Sequence, residues 1–119
     1  DFVRRQIHAG AIAACHDVSD GGLLVALAEM AIAGNTGIAL AAIPAGIAPH
    51  AFWFGEDQAR YVAATSDGAA LLAAAAAAGI PARALGRSGG DHLTGPDGIA
   101  ISLKDIRAAH EAFFARWFA

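Results

Sequence analysis

Apolar positions along the chain come in short runs whose spacing switches between helical and alternating, with glycine, proline or a polar cluster at each switch. Phe2, Val3 and Ile7 share a helical face, and Gly10 offers a stop. Ile12-Ala13-Ala14-Cys15-His16-Asp17-Val18 reads as a strand that ends at Ser19-Asp20-Gly21-Gly22. From Gly22 to Ala33, Leu23, Leu24, Leu27, Met30 and Ala31 carry an amphipathic period; Ser19 or Asp20 is placed to cap this helix, and Gly34-Asn35 to end it. Gly37-Ile38-Ala39-Leu40 predicts a strand, and the stretch from Ile43-Pro44 to Pro49-His50 has room for one short helix before Phe52-Trp53-Phe54. Arg60-Tyr61-Val62-Ala63-Ala64-Thr65 is rich in β-formers. Asp67 heads a helix over 69–78 that Gly79 closes. Residues 81–87, 92–94 and 99–102 read as strands, the last two joined by a Gly95-Pro96-Asp97-Gly98 turn. A final helix runs over 103–118 behind Ser102 and Asp105, with Ile106, Ala109, His110, Phe113 and Trp117 on one face. This order predicts a single α+β domain over residues 1–119, in two layers with helices packed on one face of a mixed β-sheet.

Composition narrows the picture. The 119 residues include 33 alanines and 33 larger apolar residues other than cysteine, enough for one core. Alanine buries little area, so the mean hydropathy of +0.47 overstates how apolar the chain is. The polyalanine segment reads as a high-propensity helix between a cap and a glycine. Polar residues or proline interrupt every long apolar window, which argues against a membrane span. Eight basic against 11 acidic residues give a net charge of −3 with no basic cluster, which argues against nucleic acid as a partner. The lone Cys15 excludes an internal disulfide, fits a reducing cytoplasm and reads as buried and inert. The chain opens at Asp1, inside a predicted helix and without an initiator Met, and so reads as a piece of a longer polypeptide.

Two segments concentrate chemistry. His16-Asp17-Val18-Ser19-Asp20-Gly21-Gly22 sets two carboxylates, a hydroxyl and a glycine pair ahead of a helix N-terminus. Such a turn suits phosphate oxygens and a hard cation, for which one carboxylate can suffice. The other reading is that Ser19 and Asp20 cap the helix and the glycines let it pack closely. Gly55-Glu56-Asp57-Gln58-Ala59-Arg60 offers carboxylates, an amide and a guanidinium to a polar ligand, or forms a solvated turn with Arg60 paired locally. His8, His50, His92 and His110 lack ligand spacing, so surface roles are expected. Arg87-Ser88-Gly89-Gly90-Asp91 lacks the ending of a P-loop and reads as a loop, and Trp53 and Trp117 read as core or interface residues.

In combination these segments resemble a known family. His16-Asp17-Val18-Ser19-Asp20-Gly21-Gly22-Leu23, with Ala28-Glu29-Met30-Ala31 and Gly34-Asn35-Thr36-Gly37-Ile38, is similar to the C-terminal domain of phosphoribosylformylglycinamidine synthase of the PurL type, in the form found in its second half. Phe54-Gly55-Glu56-Asp57-Gln58-Ala59-Arg60-Tyr61-Val62 resembles that family's second signature, and Ile101-Ser102-Leu103 with the closing helix resembles its end. The similarity spans essentially the whole chain, in order.

The resemblance implies a domain of an ATP-dependent ligase of cytoplasmic purine biosynthesis, which turns formylglycinamide ribonucleotide, ATP and glutamine-derived ammonia into the amidine. It implies Asp17 as a Mg2+ ligand, Ser19 as a nucleotide contact with Asp20, Gly21 and Gly22 beside it, and ATP or ADP as the cofactor. Glu56, Gln58 and Arg60 correspond to a substrate loop. Asp57 stands where the first half of the family has serine, and a carboxylate repels a phosphate to which a hydroxyl would donate. The family's catalytic histidine lies in a part not contained in this sequence, so no catalytic residue is assigned and the isolated domain is expected to be folded and inactive. Partners implied are the remaining domains of the parent synthase and a glutaminase, either carried by the parent chain itself or borrowed as a separate subunit. Two alternatives stay open: a domain of an aminoimidazole ribonucleotide synthetase-like ATP enzyme, and a non-catalytic interaction domain.

Overall fold

The computed structural model describes residues 1–118, with the backbone alone considered for Asp97 and Phe114. The chain runs α1 (Phe2–His8), β1 (Ala14–Asp17), α2 (Gly22–Gly34), β2 (Ile38–Leu40), α3 (Pro49–Phe54), β3 (Tyr61–Ala64), α4 (Gly68–Ala77), β4 (Gly86–Ser88), β5 (His92–Thr94), β6 (Ala100–Ser102) and α5 (Leu103–Ala115), with a single 3-10 turn over Pro96–Gly98. The α+β class expected from the sequence is the one observed.

The strands form two ladders. β4-β2-β5-β6 is a mixed sheet in which β2 and β5 run parallel, Ile38 opposite Leu93, and the other pairs are antiparallel. β1 and β3 pair separately and antiparallel, with Asp17 opposite Tyr61 and His16 opposite Val62. The division begins after Leu40. There the chain enters a stretch in which Pro44 and Pro49 lack amide donors, and it returns as α3, so that β3 meets β1 instead of extending the larger sheet.

Helix α2 joins the two ladders. Its sequence is apolar nearly all round, as a helix covered on several sides must be. Leu23, Ala26, Leu27 and Ala31 are buried. Leu23, Ala26 and Leu27 share one cluster with Val18, Phe52, Trp53, Val62 and Leu93, and Ile38, Leu40 and Ile106 pack against its edge. Phe52 and Trp53 meet edge to face at 4.7 Å, a favoured aromatic geometry. α3, α5, β1 and β3 all contact α2.

Local signals set most boundaries. Asp67 Oδ1 accepts from the Ala70 amide at 2.9 Å, and Ser102 Oγ accepts from the Asp105 amide at 3.0 Å while donating to Asp105 Oδ2. Asn35, left-handed at φ 47°, ends α2. Arg107 donates to the Ile32 carbonyl and to Asn35 Oδ1, which ties α5 to that helix end. Beside β5, the His92 ring holds the Asp91 carboxyl below its ordinary value, first by a hydrogen bond at 2.7 Å and then by charge.

Some expectations shift. β4 occupies 86–88 rather than 81–87: its ladder pairs it with Ile38–Leu40, one further bond in the same register runs from the Ala41 amide to the Leu85 carbonyl, and pairing stops where the partner strand leaves toward Pro44. Arg87 is a strand residue, as the strand reading of 81–87 has it, and Ser88, expected in the loop, is one too. α3 includes Phe52–Phe54 instead of preceding them. Trp117 is exposed, outside the core that holds Trp53. Among the described residues no helix is long and apolar enough to cross a membrane.

Leu93 is 1% exposed at the centre of this packing. Leu93→Ala should lower unfolding stability by roughly 2–5 kcal/mol in denaturant titration, whereas Asp67→Ala, which removes only a cap, should cost about 1 kcal/mol.

Candidate functional site

Asp17 is the last residue of β1, and the chain then turns through Val18-Ser19-Asp20-Gly21 into α2. Val18 is buried, and its amide donates to the Arg60 carbonyl at 2.9 Å, so the turn leaves the ladder at a defined point. Side chains of Asp17, Ser19 and Asp20 are exposed. Neither Ser19 nor Asp20 caps α2. The N-cap position is Gly21, at φ 81°, and no side chain caps the helix from that position.

Glu56 supplies the missing acceptor. Its Oε1 accepts from the Gly21 amide at 2.9 Å, across 35 residues of sequence, and so joins the two polar segments into one site. The Gly22 amide donates to the Ser19 carbonyl at 3.0 Å. Both amides of the glycine pair are therefore engaged within the chain, where the sequence suggests donors open to phosphate. Gly22 is also the point of closest approach. At φ 76°, a Cβ there would lie 2.6 Å from the Phe54 carbonyl carbon and 2.8 Å from the Trp53 oxygen. Only glycine lets the start of α2 rest on the end of α3.

The second segment closes on itself. Arg60 donates to the Gly55 carbonyl at 2.7 Å and lies 3.6 Å from Asp57 Oδ2, while Ala59 adopts a left-handed φ of 62°. Arg60 thus shapes its own loop, and its Nε is buried without a hydrogen-bond partner. Glu56 faces Gly21, and Gln58 is exposed. The three residues expected to bind substrate are brought together, with Glu56 and Arg60 engaged by the backbone.

One pairing escaped the sequence reading. His16 Nε2 lies 2.9 Å from Glu29 Oε2 on α2, and its Nδ1 lies 2.6 Å from the Asp17 carbonyl oxygen and 3.6 Å from Asp17 Oδ1. The available signal was Glu29 itself, the one charged residue in an otherwise apolar helix. Cys15, expected to be buried, is half-buried; burial raises its thiol pKa and the Asp17 charge adds to the effect, both of which disfavour the reactive thiolate.

The arrangement presents an exposed carboxylate and a hydroxyl two residues apart at a strand end, on a turn braced by Glu56. No group of three or more His, Cys, Asp or Glu among the described residues could hold a metal by itself. Magnesium commonly takes one or two carboxylates and completes its shell with phosphate and water, so Asp17 fits as a single ligand.

The family model for the AIR synthase related protein C-terminal domain matches residues 1–97. The chain belongs to this family. Two curated relatives carry the name phosphoribosylformylglycinamidine synthase subunit PurL. The one from Acidiphilium cryptum is 93% identical over 119 residues, and the one from Gluconobacter oxydans is 57% identical over 117. These alignments take in 100% and 98% of this chain, which spans 16% of the length of each relative. Among solved structures, "T. maritima PurL complexed with ATP" superposes with a TM-score of 0.71 at 15% identity, over 88% of this chain and 20% of that one, and so shares the fold.

Two outcomes test the geometry. Glu56→Ala should lower stability by about 1 kcal/mol by removing the acceptor for Gly21, while Asp57→Ala, which breaks only an exposed pair, should change it by less than about 0.5 kcal/mol in the same denaturant titration. Alkylation of Cys15 by iodoacetamide at mildly alkaline pH should be slower in the folded chain than in urea, and Asp17→Asn should speed it by lowering the thiol pKa.

Proposed function

We propose that this chain is the C-terminal α+β domain of the second half of a phosphoribosylformylglycinamidine synthase, an ATP-dependent carbon–nitrogen ligase of purine biosynthesis working in the cytoplasm. The observation that carries this reading is the continuous match to PurL subunits, 93% identical over all 119 residues in the A. cryptum relative. Membership of a family named for AIR synthase leaves a place for the sister synthetase, but the names of the close relatives favour the amidine-forming enzyme.

In this proposal Asp17 contributes one carboxylate to a Mg2+ that neutralises phosphate oxygens of ATP or ADP. Ser19 offers its hydroxyl to the nucleotide, and Asp20 lies at the same rim. Gly21 and Gly22 shape the turn; their amides reach a ligand only if Glu56 and the Ser19 carbonyl release them. Gln58 is the member of the second segment most open to a substrate. The rest of the site comes from other domains of the parent chain, and ammonia from a separate glutaminase subunit.

A second reading draws on those same engaged amides. A turn whose donors are already satisfied suits a scaffold that supports a site elsewhere in the parent enzyme, without nucleotide of its own.

Calorimetric titration of the parent chain with Mg-ADP separates the two. Under the first reading Asp17→Asn and Ser19→Ala each weaken binding, Asp17→Asn by at least about tenfold; unchanged affinity in both variants rejects it in favour of the scaffold. The isolated domain should fold without synthase activity, and mixing it with the remaining portion should restore turnover.

A further inference from the structure

The carboxylate of Asp17 ends a strand and is 64% exposed, so nothing in its own backbone fixes its direction. What lies against it is the His16 ring, itself only 29% exposed, with Nδ1 at 2.6 Å from the Asp17 carbonyl oxygen and 3.6 Å from Oδ1. Rotation of that ring is stopped from the far side, where Glu29 Oε2 meets Nε2 at 2.9 Å. Glu29 sits two turns into α2, the helix whose start is held by Glu56. The helix is thereby fastened to the strand end at a second point, and that fastening passes through the ring that is bonded to the Asp17 main chain and lies beside its carboxylate.

We propose that Glu29 is a positioning residue which, through His16 and the ring's bond to the Asp17 main-chain carbonyl, holds in place the strand end from which the Asp17 carboxylate would reach a divalent cation. The inference rests on the reading of Asp17 as a metal ligand under the proposed function. A strand end free to move must be ordered when the cation binds, and such ordering lowers affinity. A partner that holds a ligand in place beforehand removes that cost, and loss of such partners weakens metal binding by about 10–100-fold. Glu29 is suited to this because an acceptor at the end of a long side chain is needed there, whereas its position within an apolar helix gives it no packing advantage.

The test uses the full parent chain with ADP present and Mn2+ as the paramagnetic probe, free ion being read by electron paramagnetic resonance. Glu29→Ala and His16→Ala should each weaken Mn2+ binding by about tenfold, and Glu29→Gln, whose amide oxygen still accepts from the ring, should stay within about threefold of the unaltered chain. A merely structural role would lower the midpoint of thermal unfolding without this rescue pattern in Mn2+ affinity. If Glu29→Ala does not fold, Glu29→Asp, which withdraws the acceptor by one carbon, should show the same loss. Affinity within twofold of normal in Glu29→Ala, or equal loss in Glu29→Gln and Glu29→Ala, overturns the proposal while Asp17→Asn still weakens binding. Unchanged affinity in Asp17→Asn removes the metal-ligand reading itself, and the positioning role with it.

Discussion

Burial of helix α2 is the constraint on which the rest of this domain depends. Of the two short ladders, one of two strands and one of four, the first has little independent stability, since a two-stranded ribbon is marginal in water. Leu23, Ala26 and Leu27 meet Val62 from the small ladder, Leu93 from the large one and Phe52 and Trp53 from α3 in one cluster. At roughly 25 cal/mol per Å2 of apolar surface, each of the larger side chains contributes about 1.5–3 kcal/mol when fully buried. The two sheets are held as one body by what they share, not by pairing with each other.

The candidate site follows from that arrangement. Because α2 must lie on α3, the turn that precedes it is brought against the loop that follows α3. The Glu56 carboxylate then meets the Gly21 amide at the positive end of the helix, where a negative charge is favoured. One bond therefore serves the fold and defines the site, since it sets how much of the helix terminus remains for a ligand. Asp17 and Ser19, outside that bond, keep their polar groups toward solvent.

Much of this was legible in the sequence. Asp67, Asn35, Gly10, Ser102 and Asp105 mark boundaries by local chemistry, and local chemistry survives tertiary context. The two polar segments also stand out as residue types without an evident packing role. What could not be read was which group satisfies which. Ser19 and Asp20 look like caps because both have the right oxygen at the right spacing, yet the acceptor for Gly21 arrives from 35 residues away. Glu29 and His16 are 13 positions apart, and only the packing of α2 on β1 brings them together. The separation of β1 and β3 from the larger sheet is likewise a matter of partner choice, which strand propensity does not encode.

The contact at Gly22 is made by backbone on both sides: the helix start meets the Trp53 oxygen and the Phe54 main chain, not their rings. Side chains yield by changing rotamer; peptide planes do not. The spacing between the two polar segments is therefore a hard stop rather than a cushion. The two segments can come no closer than this without displacing main chain, so the backbone contact sets the least distance at which the halves of the site face each other.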